Sequence, residues 1–365
     1  MILKKDKQNL NKQNPGPIMG PREATIQPLI SIFRAAEEAH LLKFALDKNI
    51  FDLIAQGETA AGISEKLGYD YRKTRALLDA LTAMGLLHKE SPEGRQQAEI
   101  EEIYRLSLIS FYYLKENSPY CSRDLLMRRF KRLMLTDELE VKLSPVSEES
   151  SSNSSAASQA KKNPEEFTRV MVQNALGSSS IRRLTALVVR HPRFFEARRV
   201  LDLGGGHGLY PAALCRINPQ LEGVVFDLPE IAQVAGNYIE RQGLQDRITT
   251  REGNFYHDSL GEDYQIVLAV NAFHRQPEIL RQLLDKIYAA MDSSGVLYLQ
   301  HRYLNNKRTA PRESVMFYFN RILEVDAFYL PSLKEAVCCG IEAGFSLSGI
   351  FRYRGGDTCI RLEKR

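Results

Sequence analysis

No run in this chain approaches the roughly 18 consecutive apolar residues that a membrane-crossing helix needs. Met1 to Gln13 is polar and rich in Lys, Asn and Gln, so the apolar centre of a secretory signal is missing as well. Cysteine is scarce and unpatterned. The five thiols (Cys121, Cys215, Cys338, Cys339 and Cys359) are odd in number and show no CxxC spacing. That argues against a disulfide framework or a zinc site and predicts reduced thiols in a cytoplasmic protein. Cys338 and Cys339 adjoin in a helical run and read as small core residues. A marked charge of either sign is also lacking: +4 over 365 residues gives no ground for a nucleic-acid or membrane partner. No His, Asp and Glu cluster has ligand spacing, so no metal is expected. What remains is an ordinary globular composition in a chain longer than one core usually serves, which predicts two domains.

Residues 1–24 read as a tail. From Pro28 to about Leu143 the pattern is helical, and Leu29-Ile30, Phe33, Leu41-Leu42 and Ala45-Leu46 recur as one buried helix face would. Thr59 can cap a helix that Gly68 ends. A second helix spans about Tyr71 to Met84 before Gly85. Leu86-Leu87-His88, a turn at Pro92-Glu93-Gly94 and Ile103 to Leu106 then suggest a two-stranded wing, the order of a winged-helix unit over 25–143. Ser144 to Lys162 holds eight serines and almost nothing large and apolar, and reads as a mobile surface insertion. From 163 to 365, short apolar strands alternate with amphipathic helices. Val200–Leu203, Val224–Phe226, Ile248–Glu252, Ile266–Val270 and Val296–Gln300 predict a mainly parallel sheet, hence an α/β domain of Rossmann-like form. Phe345–Arg352 and Thr358–Leu362 flank Gly355-Gly356 and predict an antiparallel hairpin at the sheet edge.

The strongest motif runs Val200-Leu201-Asp202-Leu203-Gly204-Gly205-Gly206-His207-Gly208. An apolar strand enters glycines that let backbone approach a ligand closely, and the next helix offers unpaired N–H groups. The spacing is GxGxG. A dinucleotide fingerprint would need glycine at 209, where Leu stands. At the end of the second strand, in Val224-Val225-Phe226-Asp227-Leu228-Pro229, Asp227 can accept hydrogen bonds from both hydroxyls of a ribose.

These motifs resemble the small-molecule O-methyltransferases of the plant caffeate and hydroxyindole type, whose bacterial relatives act on polyketides, antibiotics and tetrapyrrole pigments. The resemblance runs from about Pro28 to the end, apart from the serine-rich insertion. Leu46 to Asp52, Leu77 to Leu81 and Gly85-Leu86-Leu87 match that family's helical winged-helix dimerisation domain. The resemblance implies a class I methyltransferase domain behind it, S-adenosylmethionine as methyl donor, a small-molecule acceptor and a homodimer formed through the N-terminal domain. It assigns cofactor contacts to Asp202, Gly204, Gly205, Gly206, Asp227, Leu228, Asn254 and Phe255. Phe167, Met171 and Asn271 match positions lining the acceptor pocket, and His274 falls at the family's general base.

The chain departs from the pattern in its acceptor half. Gly253-Asn254-Phe255 stands where the family has Gly-Asp and an aromatic. Arg275-Gln276-Pro277 replaces the Asp-Trp after the histidine, and the chain has no Trp. His301 stands where a glutamate orients the base, and the second glutamate has no counterpart near Tyr329-Leu330-Pro331. A phenol of pKa near 10 needs help to lose its proton, and a positioned imidazole accelerates such transfer by typically 10²–10⁴-fold. With His301 in the glutamate's place, either one imidazole bonds the other or both meet the acceptor. O-methylation of a small aromatic or polycyclic metabolite is the expected activity. Two alternatives stay open at this level: methylation at carbon on a pigment or polyketide-like substrate, and a non-catalytic cofactor-binding regulator that uses its winged helix on DNA. Arg72, Lys73 and Arg75 would carry the contacts of that last reading, though three charges alone read as a solvated face.

Overall fold

The computed structural model describes residues 26–90, 101–134, 143, 163–325, 328–353 and 355–364. The tail, the turn at 92–94 and the serine-rich segment 144–162 lie outside the described residues. The chain divides into two compact units, 1–123 and 124–365.

The first unit opens with α1 (Gln27–Asp47), whose first turn carries Pro28 where no intrahelical N–H is needed. Only Ala45 and Leu46 of this helix are buried. Leu29, Ile30 and Phe33, expected on a buried face, are exposed, because no other part of the chain's described residues covers them. After α2 (Ile50–Leu53) and the two-residue β1 (Glu58–Thr59), α3 (Ala60–Leu67) begins where Thr59 Oγ1 accepts the Gly62 N–H at 3.1 Å. It ends at Gly68 with φ +67°. Asp70 caps α4 (Tyr71–Ala83) through the Lys73 N–H, and Leu78 and Leu81 face the core. β2 (Leu87–Glu90) and β3 (Ile103–Leu106) pair antiparallel as expected, but β1 joins β3 as well, so the sheet has three strands in the order β1-β3-β2. Two residues of strand carry too little pattern to be seen in a sequence. At the α4 surface Arg75 pairs with Glu102 at 3.1 Å, which neutralises one of the three charges a DNA reader would present. α5 (Leu108–Tyr113) follows.

α6 (Arg123–Met134) falls almost wholly in the second unit, earlier than the composition break at Ser144. α7 (Pro164–Gly177) and α8 (Ser180–Val189) lead into β4 (Arg199–Leu203), α9 (Leu209–Ile217), β5 (Glu222–Asp227), α10 (Pro229–Arg241), β6 (Ile248–Glu252), β7 (Tyr264–Val270), α11 (Pro277–Ala290) and β8 (Met291–Arg302). α12 (Arg312–Ile322), α13 (Leu333–Glu342), β9 (Ser346–Arg352) and β10 (Asp357–Glu363) complete it. The seven-stranded sheet has the order β6-β5-β4-β7-β8-β10-β9. Its first five members are parallel and the last two antiparallel. The hairpin forms the antiparallel edge expected of it: β10 pairs with β8, and β9 is outermost. Alternation along the strands builds both cores. Leu201, Leu203, Val267 and Leu299 pack with Leu283, Leu284 and Ile287 on one face. Val200, Leu268 and Tyr298 pack with Leu184, Leu214 and Ile239 on the other. Each fully buried leucine contributes about 1.5–3 kcal/mol. Cys339 joins the first core, whereas Cys338 is exposed, a correction to the expectation that both are core: neighbours on a helix point about 100° apart. All five cysteines are free thiols.

Candidate active site

The parallel registers align the carboxyl ends of β4, β5, β7 and β8, where the glycine loop, Asp227, Asn271, His274 and His301 lie. Gly204, just past β4, takes φ +69°, and a Cβ on it would come 2.9 Å from Ala272 Cβ. The glycine loop and the loop after β7 thus touch at a point where no side chain fits. Gly206 has φ +56° with nothing within 4 Å of where its Cβ would stand, so the loop opens onto unfilled space. Its N–H donates to Asp227 Oδ2 at 2.9 Å, and the Leu228 N–H donates to Oδ1 at 2.8 Å. Burial raises the Asp227 carboxyl to about 6, against the pull of those two N–H groups. Both oxygens keep a lone pair for a further donor. Asp202 lies beneath, 1% exposed, with neither oxygen hydrogen-bonded. Burial, then the charge of Asp227, pushes it up to about 8, so it holds its proton at neutral pH. A Cβ at Gly205 would meet its Oδ2 at 2.6 Å.

Next to this cradle Asn254 organises a turn. Its Oδ1 accepts the Tyr256 N–H at 3.0 Å, and its own N–H donates to Asp258 Oδ2 at 2.7 Å. Lys286 donates to the Phe255 and Asp258 carbonyls at 2.8 and 2.9 Å, holding the turn from below. Phe255 meets Phe273 at 5.7 Å between ring centres, which ties this turn to the loop that bears His274. An open glycine cradle, a carboxylate with spare lone pairs and an adjoining aromatic fit an adenosine-bearing cofactor. His207 serves the loop itself: its Nδ1 accepts the Leu209 N–H at 3.1 Å at the start of α9, and burial lowers it to about 4.

The two histidines form a directed pair. His301 Nδ1 stands 2.7 Å from the Arg302 carbonyl, which can only accept, so that nitrogen carries the proton. His301 Nε2 must then accept from His274 Nδ1–H, 3.1 Å away. His274 Nε2 is left with a lone pair. Burial holds His301 at about 4. Burial, then the neighbouring His301 and Arg321, keep His274 well below the usual histidine range, with the Asn271 carbonyl acting the other way. By surface area His274 is half-buried. Phe328 lies 4.5 Å from the His274 ring at 33°, and Phe317 lies 6.4 Å away.

Of the expected acceptor residues, Asn271 sits at the end of β7 with φ +53°, tied to β8 through the Gln300 carbonyl, and is exposed beside His274. Phe167 and Met171 are half-buried on α7, which packs against α10, and Phe167 makes no ring contact with either histidine. Phe317, Phe328 and Arg321 escaped the sequence reading. They come from α12 and the segment after it, whose pattern shows only an amphipathic helix. Arg302, directly after His301, was the one visible signal. A cavity of about 230 Å³, lined by His191, Arg193, Gln265, Asp292 and Tyr298, lies at the amino ends of β7 and β8, the opposite end of the sheet from these groups. Among the described residues no cluster could hold a metal ion.

Two family models match this chain: an O-methyltransferase domain over residues 150–327 and an O-methyltransferase dimerisation domain over residues 34–116. The chain belongs to the O-methyltransferase family. A 3-hydroxy-5-methyl-1-naphthoate 3-O-methyltransferase of Streptomyces sahachiroi is 26% identical, the match covering 82% of this chain and 86% of that protein. Acetylserotonin O-methyltransferase of Rattus norvegicus is also 26% identical, over 85% of this chain and 70% of its own length. Among solved structures, an O-methyltransferase family protein from Burkholderia thailandensis superposes with a TM-score of 0.74 at 22% identity, covering 93% of this chain and 98% of that one. The fold expected from the motifs, a class I methyltransferase domain behind a helical dimerisation domain, is the fold of this family. No helix among the described residues is long and apolar enough to cross a membrane.

Proposed function

We propose that His274 is the general base of an S-adenosylmethionine-dependent O-methyltransferase whose acceptor is a small aromatic or polycyclic hydroxyl compound. The observation that carries the assignment is the directed pair: the Arg302 carbonyl sets the tautomer of His301, His301 sets that of His274, and the remaining lone pair sits on the loop that touches the glycine cradle. S-adenosylmethionine, held by the loop 204–206, Asp227, Leu228, Asn254 and Phe255, supplies an electrophilic methyl group. Asp227 accepts from the ribose hydroxyls, and Asp202, protonated, supports the loop from beneath. The acceptor's O–H proton passes to His274 Nε2, which frees an oxygen lone pair for the new bond. His301 is a positioning residue: it orients the imidazole that a carboxylate orients elsewhere. Alignment of the nucleophile is the larger part of the task, since a sulfonium leaving group needs little help.

Phe328, stacked beside His274, provides an apolar wall for a flat acceptor, and Asn271 borders the same space. The N-terminal unit acts as a homodimerisation domain in a cytoplasmic enzyme that binds neither nucleic acid nor membrane. Calorimetric titration with S-adenosylmethionine, run on the wild type and Asp227→Ala, tests the cofactor half: micromolar binding lost in the variant is expected. Absence of binding to the wild type would return the chain to a non-enzymatic role. Mass-shift screening of phenols, followed by locating the added methyl by NMR, separates O- from C-methylation.

A further inference from the structure

The wall beside His274 stands apart from the two cores of the large sheet. Leu304, Val325, Phe328 and Leu330 pack as a small core of their own, with Val315, Phe317 and Tyr318 against them. So few buried side chains give a segment little stability of its own, and its polar ties decide where it sits. Three of those ties are backbone. The Tyr329 N–H donates to the His274 carbonyl at 3.4 Å, the Leu304 N–H to the Pro331 carbonyl at 3.1 Å and the Leu333 N–H to the Leu304 carbonyl at 2.9 Å. The others meet at one side chain. Arg308 donates to the Leu330 carbonyl at 3.0 Å and to the Tyr329 hydroxyl at 3.4 Å. Its guanidinium also faces two rings, Tyr318 of α12 at 5.0 Å and Tyr329 at 4.9 Å. The Tyr329 hydroxyl donates in turn to Glu335 Oε1 at 2.9 Å, and Glu335 closes the capping box of α13 with Ser332. Arg308 itself has φ +58°, a left-handed value that a residue with a side chain keeps only where its neighbours enforce it. Asn305 does so: its carbonyl accepts the Arg308 N–H at 2.9 Å, and its Oδ1 accepts those of Thr309 and Ala310 at 2.8 and 3.1 Å.

Resting on the reading of His274 as the base, we propose that Arg308 is a positioning residue of the reaction, holding segment 328–331 so that Phe328 stays on the His274 ring. It acts through two successive residues: Tyr329 grips the backbone of His274, and Phe328 covers the imidazole at 4.5 Å. A fixed wall gives a flat acceptor one way to lie and its hydroxyl one distance from Nε2. A wall free to swing admits water to the imidazole and misplaces the acceptor, and a displacement of about 1 Å can cost about 10²-fold in rate. Arginine suits the task, because its rigid fork directs two donors while its flat face lies on aromatic rings, a combination an ammonium lacks. The groups whose charge acts on His274 are His301 from β8, Arg321 from α12 and Arg275 from its own loop, and burial outweighs them in keeping it neutral. The titration of His274 therefore reports how well the wall covers it.

The test needs no acceptor. The full-length protein with isotope-labelled histidine rings, loaded with S-adenosylhomocysteine, is titrated with acid by NMR, the His274 signal being assigned by its loss in His274→Ala. In Arg308→Ala the His274 midpoint should move up toward the ordinary histidine range. The signals of His207 in the glycine loop and of His191 at the opposite end of the sheet should stay in place. Arg308→Lys should recover part of the shift. Tyr329→Phe, which keeps the ring and loses only the hydroxyl, should show a smaller shift of the same sign, and it decides the matter if Arg308→Ala does not fold. Turnover of an acceptor found by mass-shift screening should fall by up to about 10²-fold in Arg308→Ala, with the affinity for S-adenosylhomocysteine unchanged. An unmoved His274 midpoint, or an equal displacement of His191 and His207, would overturn the proposal. Full turnover in His274→Ala would instead remove the base reading and leave Arg308 with nothing to position.

Discussion

The two halves of the site are made of different material. The cofactor half is mostly backbone: glycine φ angles, N–H groups aimed at Asp227 and carbonyls gathered by Lys286. The acceptor half is mostly side chain: two imidazoles, two phenyl rings and two guanidiniums brought from the loop after β7, β8, α12 and the segment beyond α12. A backbone cradle tolerates few alternatives, since only glycine meets its geometry, whereas a wall of side chains can be exchanged without disturbing the sheet. One enzyme family can therefore keep its methyl donor while changing what it methylates.

The sharpest way to separate the halves is His274→Ala. Turnover should fall by about 10²–10⁴-fold while the affinity for S-adenosylmethionine stays the same, measured by product formation and calorimetry on one preparation. Unaltered turnover would sink the base assignment. Asp227→Ala should do the reverse, weakening the cofactor by about 10²-fold or more, as two charge-assisted hydrogen bonds go missing. Because burial sets the free Asp227 near 6 and ribose prefers the carboxylate, cofactor affinity should be level above that pH. Below it, the affinity should fall by about tenfold per pH unit. A level affinity down to pH 5 would contradict the role given to Asp227.

The glycine loop and Asp227 were legible in the sequence because the one follows from a backbone requirement and the other stands at the end of the next apolar strand. His274 and His301 were legible by position, yet which imidazole donates to the other depended on the Arg302 carbonyl, and no residue spacing encodes a carbonyl's direction. Phe328 and Arg321 were illegible. They meet His274 only after the chain has run through β8 and α12, and nothing local distinguishes them from core residues on an amphipathic segment. The strands of the large sheet emerged close to expectation, because β7 is apolar along nearly its whole length and Val200, Leu201 and Leu203 make β4 apolar around Asp202. The hairpin was legible as the antiparallel edge that it forms, because Gly355-Gly356 stands between two apolar runs.

Replacing His301 sharpens the comparison within the acceptor half. His301→Ala should cost about 10- to 100-fold in turnover, in the manner of other groups that orient a working imidazole. His301→Glu should keep activity and move the acid limb of the kcat/KM profile upward, since a carboxylate favours protonated His274 where the present neighbour disfavours it. An unmoved limb would show that His301 does not act through His274.

The smallest expected effect lies under the cradle. Asp202 holds its proton to about 8 when folded against an ordinary 3.8, so the folded state carries more protons and stability falls as pH rises through that window. His207 and His301, at about 4 against 6.5, work the other way below 6.5. Between pH 6.5 and 8 the carboxyl acts without that opposition. The cofactor-free protein should lose at most about 2 kcal/mol across that interval, and Asp202→Asn should flatten the decline in Tm. A Tm that rises over the interval in the wild type would rule out a protonated Asp202.

The bare end of α1 has a practical consequence. Leu29 is 57% exposed and Phe33 71% exposed, in a helix whose own unit buries only two residues of it. If a second copy of the chain covers them, apolar side chains in this position gain their shelter by mass action. The stability of that segment is then no fixed property of the polypeptide but a function of how concentrated it is. A purified stock and a nanomolar assay sample would differ in Tm, and storage, dilution and shelf life would be governed by the same equilibrium.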